Sequence, residues 1–155
     1  MALSIRILVG TMTGTAQIVA EDMAAVLSDE GFNVKTDLMD DAEASVFKGG
    51  GYFIICTSTY GQGDVPDNAK ALLNSLKNVK PDLSDVKFGI FGLGDSTYAE
   101  TFSFGGKRFD CILNQLGAKR IGEPKFHDAS AGTLPEEEAA SWVVSWAKLL
   151  KSDGT

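Results

Sequence analysis

Short apolar runs alternate with helical patterns along this chain. Ile5–Val9 is a continuous apolar run and predicts a first strand. From Ala16 to Asp29 the apolar positions are Ile18, Val19, Met23, Val26 and Leu27, the spacing of an amphipathic helix, and Gly31 is placed to end it. Phe32–Leu38 alternates and predicts a second strand, and Asp41–Phe47 a short helix. Tyr52–Cys56 is apolar throughout, as expected of a central strand buried on both faces. Pro66–Leu76 follows as a helix with proline in its first turn. Val86–Phe91 predicts the fourth strand. Gly105–Leu116 predicts a helix stopped by Gly117. Arg120–Ile121 begins a weaker fifth strand, and Glu136–Leu150 a last helix entered through Thr133 and Pro135. Regular alternation of strand and helix predicts an α/β chain: right-handed crossovers and a parallel sheet with helices on both faces. Five strands fit the doubly wound order 2-1-3-4-5, in which a ligand binds beyond the carboxyl ends of the strands where the order reverses, here between the first and third.

Composition narrows this further. The 155 residues suit one domain, residues 1–155, with a sizeable core, and 44% hydrophobic against 23% charged residues is ordinary for a soluble protein. No apolar run is long enough to cross a bilayer, and the N-terminus lacks a basic start and a small-residue cleavage site. Cys56 and Cys111 form neither a ligand spacing nor a disulfide framework; both are expected to be small buried hydrophobes in a reducing cytoplasm. No metal site is expected. The net charge of −7 argues against nucleic acid and suits a basic protein partner.

The candidate chemistry lies in three loops at predicted strand ends. The turn Thr11-Met12-Thr13-Gly14-Thr15-Ala16 leads directly into a helix, so backbone N–H groups and the positive end of the helix dipole point into it, with three threonine hydroxyls beside them. It lacks the lysine of a Walker A loop and the G-x-G-x-x-G of dinucleotide sites. A single terminal phosphate is the expected ligand; on this turn alone, an ordinary threonine-capped helix start fits equally. The second loop, Cys56 to Ala69, is long and carries Tyr60 between small residues, with Gly61 and Gly63 able to take positive φ. The third, Gly92 to Gly106, carries Tyr98, with Phe102 and Phe104 nearby. Two tyrosine-bearing loops flanking a phosphate turn suit a flat ring with a phosphate tail.

These three motifs, Thr-x-Thr-Gly-Thr-Ala, Ser58-Thr59-Tyr60-Gly61-Gln62-Gly63-Asp64 and Gly92-Leu93-Gly94-Asp95-Ser96-Thr97-Tyr98, resemble those of flavodoxins. The nearest likenesses are the short MioC-like flavodoxins and the FMN domain of diflavin reductases. The resemblance spans nearly the whole chain, and the distance from Gly117 to the last helix is too short for the insertion of long-chain members. It implies a flavodoxin-like doubly wound sandwich with a five-stranded parallel sheet, and FMN as cofactor. The phosphate would lie on Thr11–Ala16. Backbone of Thr57, Ser58 and Thr59 and of Leu93, Gly94 and Asp95 would hold the ring. Tyr60 and Tyr98 would wall it, with Phe102 near, and the Gly61 carbonyl would turn toward flavin N5–H on one-electron reduction. His127 and Asp128 match a loop that lies close to the flavin in relatives, although a lone histidine is more often an ordinary surface residue.

No general acid, base or nucleophile is identifiable, so the expected function is one-electron carriage between the semiquinone and hydroquinone of FMN, without substrate turnover. Carboxylates at Asp64, Asp67, Asp95 and Glu100 would oppose a second negative charge and form an acidic rim. That rim would dock the basic surface of an NAD(P)H-dependent flavodoxin reductase and of an acceptor enzyme, with the protein a monomer that binds neither nucleic acid nor membrane. The alternatives are an FMN-dependent oxidoreductase such as a quinone reductase, or the excised FMN domain of a diflavin reductase. A response-regulator receiver would need carboxylates where this chain has Thr11–Met12 and Thr57–Ser58.

Overall fold

A computed structural model describes residues 4–10, 14–39, 43–47, 50–58, 67–94, 104–128 and 134–153. The elements run β1 Ser4–Gly10, α1 Thr15–Asp29, β2 Asn33–Leu38, a 3-10 turn Ala44–Phe47, β3 Gly51–Ser58 and α2 Asp67–Val79. They continue with β4 Val86–Gly94, α3 Phe104–Gln115, β5 Lys119–Arg120, β6 Lys125–Asp128 and α4 Pro135–Asp153. All strand pairs are parallel, in the order β2-β1-β3-β4-β5, with β6 also on β4. The doubly wound order read from the sequence is therefore the observed one. The short helix anticipated from Asp41 is a 3-10 turn in its described part, and Pro66 lies outside the described residues.

Side chains alternate across β1, and each face of the sheet has its own core. Ile5, Ile7 and Val9 pack with Ala16, Val19, Ala20, Met23 and Leu27 of α1 and with Ala139, Val143, Trp146, Ala147 and Leu150 of α4. Leu8 faces the other way, among Ala69, Leu72, Leu73 and Leu76 of α2 and Phe109 and Leu113 of α3. β3 splits in the same manner, Ile54 and Cys56 to the first core and Phe53 and Ile55 to the second. This is why its apolar run carries no polar residue. Each fully buried large apolar side chain contributes about 1.5–3 kcal/mol. Ile18 shares the helical spacing but lies off the buried stripe of α1 and is exposed.

The fifth strand departs from expectation. It is two pieces on the same edge of β4: Lys119–Arg120 against Lys87–Phe88, and Lys125–Asp128 against Phe91–Gly94. Between them residues 122–124 loop out, while Ile121 N–H still donates to the Phe88 carbonyl at 2.7 Å. Gly122 has φ +71°, open to glycine at little cost, and Pro124 has no N–H to donate to a ladder. Side chains replace the missing strand bonds: Arg120 Nε donates to the Gly122 carbonyl (3.2 Å) and Trp142 Nε1 to that of Glu123 (3.0 Å). Arg120 also pairs with Asp110 of α3 at 2.6 Å. These contacts fix the geometry of the break.

Candidate functional site

Because every strand pair is parallel, the carboxyl ends collect at one edge. Gly10 ends β1 beside Thr57 of β3, Thr57 lies beside Gly92 of β4, and Ser58 beside Leu93. On the far side Leu93 lies across from His127, and Gly94 from Asp128. The three candidate loops and the segment after Asp128 therefore all leave from the same edge. Of the predicted site residues, Gly14, Thr15, Ala16, Thr57, Ser58, Leu93 and Gly94 are described. Thr11, Met12, Thr13, Thr59, Tyr60, Gly61, Gly63, Asp95, Tyr98 and Phe102 lie outside the described residues, as do the rim carboxylates Asp64 and Glu100.

The start of α1 is built to receive an anion. Its N-cap is Gly14, at φ +92°, so the capping position carries no side chain, and the threonine-capped alternative does not apply to this residue. The first turn holds no acidic residue, leaving the positive end of the helix dipole uncompensated by charge. Thr15 is exposed and Ala16 fully buried. Cys56 Sγ reaches the Ala16 carbonyl at 3.4 Å, joining this turn to β3.

Gly10 is a requirement that the sequence reading did not single out. A Cβ built on it would stand 2.6 Å from Thr57 Oγ1, 3.1 Å from Ala69 Cβ and 3.2 Å from Met39 Sδ. Thr57 is completely buried. The close approach brings the end of β1 against the start of the second loop, at the reversal point of the strand order. A phosphate-bearing group fits this donor set: backbone N–H groups at a helix start, a neutral hydroxyl, small residues and no acidic residue in the first turn.

Three other expectations are settled here. Cys56 is buried, as anticipated, and burial pushes its thiol well up, so it stays protonated and is no nucleophile. Cys111 is exposed on α3, not buried, because its helical position faces away from Phe109 and Leu113. His127 is not a surface residue: it is 3% exposed, on the face of β6 that looks toward α4, with Nε2 3.6 Å from Glu138 Oε2. Among the described residues no cluster of His, Cys, Asp and Glu could hold a metal ion, and no helix is long and apolar enough to cross a membrane.

Fold and edge together define a doubly wound protein whose topological switch point suits a phosphate-bearing ligand. Comparison with known proteins gives the family. The Flavodoxin family model matches residues 7–142. The chain is 38% identical to flavodoxin YqcA of Escherichia coli K12 over 148 residues, covering 94% of this chain and 97% of that protein. It is 36% identical to the MioC protein of the same organism over 150 residues, covering 95% and 98%. The solved structure of a cysteine-to-serine mutant of flavodoxin from Pseudomonas aeruginosa superposes with a TM-score of 0.84 at 32% identity, covering 96% of this chain and 99% of that one. This chain belongs to the flavodoxin family, whose members bind FMN and transfer electrons.

Proposed function

We propose that this chain is a single-domain carrier whose FMN is held by the three loops named from the sequence and which has no substrate turnover of its own. The observation that carries this reading is the convergence of the β1, β3 and β4 carboxyl ends at one edge, beside a helix start capped by Gly14. The turn Thr11–Ala16 holds the phosphate. Backbone of Thr57–Thr59 and Leu93–Asp95 orients the ring, and Tyr60, Tyr98 and Phe102 exclude water from it. Gly61 supplies a carbonyl acceptor for a ring N–H.

FMN, when bound, supplies reversible one-electron chemistry. The protein's task is to hold it, keep it dry and present one edge to a partner. A net charge of −7 supports a basic partner surface on a reductase and on an acceptor enzyme. Glu136, Glu137 and Glu138 in the first turn of α4 add negative charge beyond the β6 end of the same edge. We place the protein in the cytoplasm, as a monomer. Mass spectrometry of the released cofactor, with potentiometric titration and a steady-state assay of NAD(P)H consumption, tests the reading. FMN, two resolved one-electron steps and no turnover by the isolated protein are expected. FAD as the native species, or sustained turnover with a quinone, would overturn it in favour of an oxidoreductase.

A further inference from the structure

The chain has one histidine, and the fold buries it beside a carboxylate. Glu138, in the first turn of α4, uses both oxygens on β6: Oε2 lies 3.6 Å from His127 Nε2, and Oε1 lies 3.3 Å from Lys125 Nζ. Among the described residues the rest of this face is uncharged. Phe91 and Leu93 come from β4, Ala139 and Trp142 from α4, and the buried stripe of α1 is Ala16, Val19, Ala20, Met23 and Leu27. Among the described side chains, Lys125 and Glu138 are therefore the charged groups that face the imidazole. An apolar residue would fill the same space without the cost of burying a polar ring.

We propose that His127 is a positioning residue for FMN: with Glu138 it clamps the end of β6 to α4, and protonation of its ring tightens the cofactor site. The inference rests on the FMN reading above. His127 and Asp128 pair with Leu93 and Gly94, the strand end assigned to the ring. With His127 neutral, the ion pair that ties Glu138 to β6 is the one with Lys125. The imidazolium gains the carboxylate, firms the join between β6 and α4, and adds positive charge at the edge that receives an anionic cofactor. Coupling is reciprocal, so FMN must raise the proton affinity of His127 by the factor by which the proton strengthens FMN binding.

The test measures FMN dissociation constants by fluorescence quenching between about pH 5 and pH 8, the imidazole range, for the parent and His127→Gln. A phosphate monoester also titrates near pH 6, so the ratio of the two proteins' constants is read at each pH, which cancels that contribution. The ratio should change by about fivefold, the parent gaining at the acid end; a ratio constant across the range overturns the proposal. Proton NMR of the FMN-loaded parent and Glu138→Gln supplies a second readout, because one imidazole C2–H resonance reports one residue. The midpoint should fall in Glu138→Gln, and an unchanged midpoint overturns the proposed clamp even if His127→Gln does not fold. Failure of the parent to bind FMN at any pH would instead reject the cofactor reading.

Discussion

Gly10→Ala puts the site's packing to a quantitative test. The added methyl would stand 2.6 Å from Thr57 Oγ1, with Ala69 Cβ at 3.1 Å and Met39 Sδ at 3.2 Å closing the other directions. Met39 can give way, being flexible. Ala69 has no rotamer to change, and Thr57 is fully buried in β3, where a β-branched side chain has few alternatives. The strand end must therefore shift. Overpacking of this kind costs about 1–3 kcal/mol, and the displacement falls on the residue before the proposed phosphate turn. Urea denaturation should show that loss of stability, and fluorescence titration should show weaker FMN binding. A double-mutant cycle identifies the cause. Thr57→Ala removes Oγ1, the atom in closest conflict, so Gly10→Ala should cost less on the Thr57→Ala background by at least about 0.5 kcal/mol. Strictly additive stabilities would mean that Thr57 is not what forbids a side chain at position 10, and the account of this junction would be wrong.

Thr15→Ala should weaken FMN binding by about 1–3 kcal/mol, the cost of a lost hydrogen bond to a charged group, with little change in urea midpoint because Thr15 is exposed; unchanged affinity would remove its hydroxyl from the phosphate site. Gly89→Ala should destabilise the fold by about 1–3 kcal/mol in urea, since its Cβ would crowd Trp146 Nε1 and stand 2.9 Å from Trp142 Cη2, and the tryptophan emission should shift with it. A colorimetric thiol reagent should titrate one cysteine in the native protein, Cys111, and two after unfolding, because Cys56 is buried. Burial raises the Cys56 thiol, so the native state keeps a proton that the unfolded chain releases. Its contribution to stability is therefore complete below about pH 8.5, and the native state loses ground to the unfolded one as pH rises past that point. Cys56→Ala should remove this alkaline loss, making the slope of unfolding free energy against pH less negative by up to about 1.4 kcal/mol per pH unit.

The alternating pattern by itself determined the strand order and the edge at which the candidate loops collect. It could do so because burial on both faces leaves the apolar run of β3 without polar residues, and parallel strands need intervening helices. Gly31 and Gly117 were legible as helix stops for a local reason, confirmed by φ values of +95° and +102°. The candidate loops were legible because glycine, threonine and tyrosine in that order have no packing purpose in a core.

What tertiary structure decided are contacts between residues far apart in the chain. The break at residues 122–124 depends on Trp142 and Arg120 supplying the bonds that a continuous strand would have made. Gly10 must be glycine because Thr57 and Ala69 come to meet it, 47 and 59 positions later. Cys111 is exposed and His127 buried against the expectation for their residue types. No local pattern marks either one, since a helix's free face and a strand's covered face are set by what packs on them. For His127 that is α4, which arrives with Glu138 eleven residues further on.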